Sequence, residues 1–400
     1  MRTDGSALPT GFWAPTEDET RLLLHRAGRT PVFVYGRAAL RAAVDRVRAA
    51  SLPGAHIYYS LKANPHPGVV TALTPLVDGF DVCSLAELET ALNSGMPAAR
   101  TLFTGPAKTR AEAAAALAAG AALTVESPGQ ARLMAEVADE LGVAGRAVVR
   151  LNTPYPGRGP GSPPSPHQFG VAEADLGEVV DVLRRSALTL RGLHLFFGSQ
   201  YADADVIRAA RRAALERARD VEARYGLKLA FVSVGGGIAL PWCAADPDVD
   251  WAGLTAPEDG PLPWGDHGDQ TVVAEYGRSI AGPAGVLLTS VLDVKTVGDR
   301  RYVVVDAGIN HLFTAGRLVA GRDRGEPLVR AVGTARPDRP VDRAYVTGPL
   351  CSQLDVLAED VPLPPVAVGD TLMFLGVGAY GPTFSPSGFL SRDQAGEIVH

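Results

Sequence analysis

Lys62 closes the run "IYYSLK" (57–62), where β-branched and aromatic residues give way to an ammonium group. Such a run is expected to form a buried strand, and an unpaired lysine is costly to desolvate there. Lys62 therefore either reaches solvent past the strand end or has a partner and a task. A second stretch, "LAFVSVGGGI", places Gly235, Gly236 and Gly237 directly after another apolar run. Lacking Cβ atoms, the three glycines make either a bare tight turn or a concave nest of backbone N–H groups for an anion. A third stretch, "TVVAEYGRSI", supplies Glu275, Gly277 and Arg278. Arginine suits bidentate phosphate recognition, and a carboxylate can hold a protonated ring nitrogen; an ordinary surface ion pair would use the same two side chains.

Eight candidate strands carry these residues: 56–61, 79–84, 101–105, 123–126, 146–151, 190–197, 229–234 and 271–275. Helical signals alternate with them. Ser84 and Glu87 have capping-box spacing ahead of "LAELETALN", with Gly95 as a stop. Ser127 can cap a helix opened by Pro128 and ended by Gly142, and apolar residues at 207, 210, 214, 218, 221 and 225 mark one helix face ended by Gly226. Eight strand–helix units predict an α/β fold, a closed (β/α)8 barrel. After about residue 280 the pattern becomes all-β: Gly298-Asp299 reads as a hairpin turn, followed by "LVRAVGT", "RAYVTG", "TLMFLGVGAYG" and "GEIVH". The expected division is a barrel over 30–280 and a C-terminal β-domain over 281–400, with 1–29 packing on the latter. Residues 239–270, rich in Pro, Gly and Asp, show no convincing helix and read as a long loop or a degraded barrel helix.

Barrel active sites lie at the C-terminal ends of the strands, and phosphate sites there often use the loops after strands seven and eight. Lys62 follows strand one, the glycines follow strand seven, and Glu275 and Arg278 follow strand eight. A lysine amine, a phosphate nest and an acidic partner for a ring nitrogen point to pyridoxal 5'-phosphate, whose aldehyde condenses with an amine and whose ring withdraws electrons. On this reading Lys62 is the imine lysine.

Several ordered motifs over about residues 30–400 then show a family likeness: "YSLKANPH", "GFDVCSLAEL", "GLHLFFGSQ", "VGGGI", "EYGRSI", "DAGIN", "GPLCSQLDVL" and "GVGAYG". The chain resembles the fold-type III pyridoxal-phosphate decarboxylases, which include diaminopimelate, ornithine and arginine decarboxylases. The resemblance implies an alanine racemase-like barrel with a β-domain, a homodimer with shared active sites, and a small amino-acid substrate. It implies phosphate contacts for Ser199, Gly235–Gly237, Arg278 and Tyr380, a place in the cofactor site for Gly277, the ring-nitrogen role for Glu275, and an approach to the cofactor by Arg150. Cys351 of the neighbouring subunit would be the proton donor after carbon dioxide leaves.

Two departures bear on the substrate. Phe196 stands where members acting on basic amino acids usually carry a ring-stacking His; it can stack, but it can neither titrate nor hydrogen-bond through its ring edge. Ser352 stands where diaminopimelate and ornithine enzymes carry an acid next to the motif Cys, while Asp355 matches an acid found in several members and keeps distal-amine binding open. "FFGSQ", "GPLCSQLDVL" and "GAYGPTFSPSGFLS" are similar to a branch that includes a decarboxylase of glutamyl groups tethered to an acyl carrier protein, which implies specialised metabolism and a tethered, acylated or acidic amino-acid substrate. An amino-acid racemase and a non-catalytic homologue are the competing readings of the same motifs.

Composition removes other classes. With 46 % hydrophobic and 20 % charged residues in 400, the chain reads as an ordinary globular protein, and a net charge of −6 speaks against nucleic-acid or anionic-membrane partners. No apolar run reaches spanning length, and "MRTDGSALPTGFW" has no signal-peptide core. Cys83, Cys243 and Cys351 cannot all pair and lack metal-site spacing, so no metal and a reducing, cytoplasmic setting are expected.

Overall fold

The computed structural model describes residues 9–152, 167–241, 243, 246–257, 270–315, 327–333 and 341–400. They form two compact units. One gathers the described residues of Met1–Ala43, Leu240–Asp248 and Arg278–His400, and its first strand is β1 (Val32–Tyr35); the other gathers Val44–Ala239 and Val249–Gly277.

The second unit is a closed parallel barrel of β2 (His56–Ser60), β3 (Gly79–Val82), β4 (Thr101–Phe103), β5 (Ala122–Val125), β6 (Gly145–Arg150), β7 (Leu188–His194), β8 (Phe231–Ser233) and β9 (Thr271–Tyr276). These are the eight strands expected from the sequence. Tyr58, Leu102 and Val148, from alternate strands, form an interior layer with Val273, and Phe231 packs against it. The Tyr58 and Phe231 rings meet edge to face, 6.1 Å between centroids. Alternation of strands is how a barrel fills its axis, and each large side chain so buried contributes roughly 1.5–3 kcal/mol. Gly79 makes room for this layer, because a Cβ there would strike the Tyr58 ring.

The caps lie where the local chemistry calls for them. The Gln130 N–H donates to Ser127 Oγ at 3.1 Å, Pro128 opens helix Pro128–Leu141, and Gly142 ends it at φ 63°. Helix Ala204–Tyr225 buries Ile207, Ala214, Ala218 and Val221 and stops at Gly226, φ 58°. At helix Leu85–Asn93 the Glu87 N–H donates to Ser84 Oγ, but the Glu87 carboxylate reaches past Ser84 to the Cys83 N–H at 2.7 Å. The expected reciprocal box is thus displaced by one residue. Within 239–270, residues 242, 244–245 and 258–269 lie outside the described residues, yet a helix, Trp251–Thr255, is present there. It is one turn long, too short to leave a periodic signal, and is held by the Gly253 N–H to Asp250 Oδ1 bond and by Arg208 donating to the Gly253 and Ala256 carbonyls.

In the first unit β10 (Gly285–Val297) and β11 (Arg300–Val305) form the expected hairpin, with Gly298 at φ 62° and Val297 opposite Arg300. Strands β12 (Val329–Val332), β13 (Asp342–Thr347), β14 (Val356–Leu363) and β15 (Thr371–Leu375) extend the sheet in the order β12-β15-β10-β11-β13-β14. β1 lies antiparallel to β10 and parallel to the terminal β16 (Gly396–Val399). Residues 32–35 therefore join this sheet, where the sequence reading began the barrel at 30. All four are buried and their strand partners lie more than 200 positions away, so no local signal records the pairing. Leu23, Val32, Val34, Val286, Leu288, Leu328, Met373 and Leu375 form the core of this unit.

Candidate active site

Lys62 sits on the single 3-10 turn Leu61–Ala63 that follows β2. Its side chain is 49 % exposed, and Nζ lies 3.3 Å from Oδ2 of Asp81, a carboxylate only 1 % exposed at the corresponding level of β3. The other Asp81 oxygen accepts the Thr104 hydroxyl at 2.6 Å. Asp81 is therefore fixed before Lys62 approaches it, and the pair answers how an ammonium is kept at the end of an apolar strand. Cys83 lies beside this pair, with Sγ 3.2 Å from Thr104 Oγ1; burial, reinforced by the Asp81 charge, pushes its thiol up to about 12.

Glu275 is buried at the end of β9. Its Oε2 lies 3.0 Å from His194 Nε2 on β7, and its Oε1 accepts the Ser233 hydroxyl of β8 at 2.6 Å. Burial by itself would raise the Glu275 carboxyl, but interaction with His194 and hydrogen bonds from His194 and Ser233 outweigh it and hold the group below the usual carboxylate range. Lys62 adds to the same lowering, which places the two groups within electrostatic reach.

The glycine loop follows β8. Gly235 and Gly237 adopt φ of 68° and 94°, and a Cβ on Gly236 or Gly237 would collide with the carbonyl of Glu275 or Gly198, respectively. Only glycine serves at these positions. Tyr201 N–H donates to Gly237 O at 3.0 Å, and the Tyr201 hydroxyl donates to Phe197 O at 2.7 Å. Those bonds lace the loop carrying half-buried Phe196 and Ser199 to the glycine loop. Gly277 lies against the Lys62 turn, where a Cβ would come within 2.8 Å of Ala63 Cβ.

Arg150, at the end of β6, stands 3.4 Å from Glu126 Oε1, 4.8 Å above the Phe169 ring and 5.9 Å above that of Phe196. Glu126 also accepts the N–H groups of Gly105 and Gly170. Lys108 donates to Gly105 O at 2.6 Å and Thr124 Oγ1 at 3.0 Å, and burial lowers its ammonium to about 8. The sequence reading did not single out Ser233, Glu126 or Lys108, and it gave His194 no role. His194 shares strand parity with Phe196, and Glu126 follows a strand, so both were visible as mouth positions; Lys108 left no such mark.

The strand-rich unit holds the other candidates. The Arg278 guanidinium lies 4.4 Å from the centre of the Tyr380 ring, whose residue has φ 55°. Cys351 is exposed. Ser352 Oγ accepts the Leu354 N–H at 3.2 Å and so braces its own turn. Asp355 is 3 % exposed, with Oδ1 accepting the Ile309 N–H and Oδ2 the Leu350 N–H, both at 2.7 Å. Burial raises its carboxyl despite those bonds. Where the sequence reading kept Asp355 open as a distal-amine partner, its carboxylate is occupied in tying two backbone loops together.

At the barrel mouth a small, flat, anionic cofactor meets what it needs: an amine with a fixed counter-charge, a cradle that any Cβ would fill, and a buried carboxylate held ionised. The residues fit pyridoxal phosphate, and they define a pyridoxal-phosphate enzyme built on a barrel with a β-domain. Comparison with known proteins narrows the class. Residues 37–282 match the family described as "Pyridoxal-dependent decarboxylase, pyridoxal binding domain". The diaminopimelate decarboxylase of Pseudomonas aeruginosa is 32 % identical over 92 % of this chain and 87 % of its own. The L-glutamyl-(BtrI acyl-carrier protein) decarboxylase of Niallia circulans is 28 % identical over 92 % of this chain and 88 % of its own. The structure of Helicobacter pylori diaminopimelate decarboxylase complexed with L-lysine superposes with a TM-score of 0.81 at 26 % identity, covering 95 % and 94 % of the two chains.

The chain belongs to the pyridoxal-dependent decarboxylase family. It is an enzyme, a pyridoxal-phosphate-dependent carboxy-lyase acting on an amino acid or a derivative of one. Among the described residues no helix is long and apolar enough to cross a membrane.

Proposed function

We propose that the substrate is an α-amino acid whose far end carries no free ammonium, and specifically a glutamyl group joined through its side-chain carboxyl to a carrier protein. The observation that carries this reading is the state of Asp355: both oxygens accept backbone N–H groups and the residue is buried, so it is poorly placed to receive a distal amine. Ser352, the neutral neighbour of Cys351, supports the same conclusion, as does likeness to an enzyme named for a carrier-bound glutamyl group.

When bound, the cofactor supplies an aldehyde carbon for an amine and a ring that withdraws the electron pair left as carbon dioxide departs. Lys62 is assigned the covalent hold on it, with Asp81 balancing the ammonium charge. Glu275 is assigned the ring nitrogen, Phe196 a ring face, and Arg150 support of that aromatic wall. The glycines 235–237 and Ser199 are assigned the phosphate, and Gly277, Arg278 and Tyr380 keep the cofactor-binding roles expected of them. Cys351 of the partner subunit would deliver the proton to the substrate Cα; its exposure on the single chain supports an arrangement in which a second copy covers it. Three cysteines, an odd number that cannot all pair, support a reducing, cytoplasmic setting.

The test is carbon dioxide release from protein saturated with pyridoxal phosphate. A glutamyl-loaded carrier protein should be turned over, with kcat/KM at least about a hundredfold above those of free ornithine, lysine, arginine, diaminopimelate and glutamate, the scale expected when a buried charge lacks its partner. Turnover of a free basic amino acid at comparable kcat/KM would overturn the assignment.

A further inference from the structure

His194, Ser233 and Glu275 stand on three successive barrel strands, with His194 and Ser233 directly opposite in register. His194 is 3 % exposed and Ser233 fully buried. The Ser233 hydroxyl has one proton, and it goes to Glu275 Oε1 at 2.6 Å. Its lone pair accepts the Gly235 N–H at 3.2 Å, while the Glu275 N–H donates to Gly235 O at 2.9 Å. The first glycine of the phosphate cradle is therefore bonded to the Glu275 backbone directly and to the Glu275 carboxylate through one hydroxyl. His194 Nε2 takes the remaining carboxylate oxygen, so rotation of the group about its last bond would break a hydrogen bond on either side.

We propose that His194 and Ser233 are positioning residues: His194 fixes the Glu275 carboxylate for the ring nitrogen, and Ser233 couples that carboxylate to the glycine loop, so one hydrogen-bonded unit sets both ends of the cofactor site. The inference rests on the cofactor assignment and goes beyond it, because neither side chain is itself assigned a contact with the cofactor.

Affinity titrations followed by cofactor absorbance and fluorescence test it, using pyridoxal phosphate, phosphate-free pyridoxal, and 1-deazapyridoxal phosphate, which has no ring nitrogen. His194→Leu should weaken pyridoxal phosphate by about tenfold to a hundredfold, the range for losing a charge-assisted hydrogen bond, and should shift the absorption band of the bound ring. It should bind the deaza analogue as the unaltered protein does. His194→Gln, whose amide N–H can still reach the carboxylate, should recover most of the loss. Ser233→Ala should weaken pyridoxal as well as pyridoxal phosphate and reduce the preference between them, because both ends are loosened.

Equal losses on the natural and deaza cofactors for His194→Leu would make His194 mere packing and overturn its part. Unchanged affinities in Ser233→Ala would overturn the coupling. Should His194→Leu fail to fold, the band position of His194→Gln and the Ser233→Ala ratio still decide. Failure of the unaltered protein to bind pyridoxal phosphate would strike the cofactor assignment instead, so the two failures are distinguishable.

Discussion

Asp355 and His311 show how buried polar residues in the strand-rich unit hold backbone rather than substrate. Asp355→Ala would leave the Ile309 and Leu350 N–H groups unpaired. Each orphaned donor costs about 1–3 kcal/mol, so the midpoint in a denaturant titration should fall clearly while the order of preference among substrates stays the same. A changed substrate preference would return Asp355 to the binding pocket. The His311 ring accepts the Gly308 N–H at Nδ1, and its Nε2 lies 2.8 Å from the Asp393 carbonyl, which can only accept; the ring is therefore neutral with its proton on Nε2. Burial lowers its proton affinity below the ordinary value of 6.5. The folded state then binds the proton less readily than the unfolded one, so this contribution is complete above 6.5 and is lost as the pH falls below it. Unfolding midpoints should drop from pH 7.5 to pH 5.5, and His311→Asn, which keeps an acceptor for Gly308, should flatten that drop. Lys62, Glu275 and the glycines were legible because each breaks a local pattern: a cation ending an apolar run, a carboxylate in a strand, three residues without side chains. Ser233 breaks none, and Glu126 ends its run as Glu275 does but has no arginine beside it to mark an anion site. A serine within a strand and an acid at its end have ordinary uses, and their partners become visible only when the barrel closes.

The elements divide by whether their signal is local. All eight barrel strands could be read because each is a short apolar run set off by helix caps, and caps act within one turn. β1 could not be assigned to its sheet, since its pairing with β10 and β16 depends on residues at the far end of the chain. Two glycine substitutions separate the roles of the loops. At Gly226, φ 58° and open space beyond mean that alanine adds strain but no clash; Gly226→Ala should cost more than about 1 kcal/mol of stability and leave cofactor affinity alone. At Gly236 a Cβ meets the Glu275 carbonyl, so Gly236→Ala must displace either the loop or the carboxylate strand. Its affinity for pyridoxal phosphate should fall by at least about tenfold even where thermal unfolding shows the barrel intact, since one lost hydrogen bond to a phosphate already has that scale. Equal cofactor binding by the two variants would remove the loop from the site.

At the scale of the molecule the question is whether one chain suffices. Cys351 is exposed on the single chain, and exposed Leu354, Phe384, Phe389 and Leu390 lie on segments near it in sequence or bonded to it: Arg392 donates to Pro349 O, and the Phe384 ring packs on Tyr380. Apolar side chains exposed on these segments, together with the exposed Cys351, fit a surface that a second copy covers, in keeping with the homodimer proposed above. In a two-fold dimer with shared sites, Lys62 of one copy would work with Cys351 of the partner subunit. Lys62→Ala alone should lose all turnover and all borohydride-trapped cofactor, and Cys351→Ala should lose turnover while retaining the trapped group. When equal amounts of the two variants exchange subunits, half the dimers are mixed, and each mixed dimer has one site with both groups intact. Activity should therefore return to about a quarter of that of the unaltered protein, as symmetric pairing requires. Tagged subunits verify the exchange. Recovery near that fraction would establish that the reacting groups come from different chains, whereas no recovery among demonstrably mixed dimers would mean that each chain completes its own site.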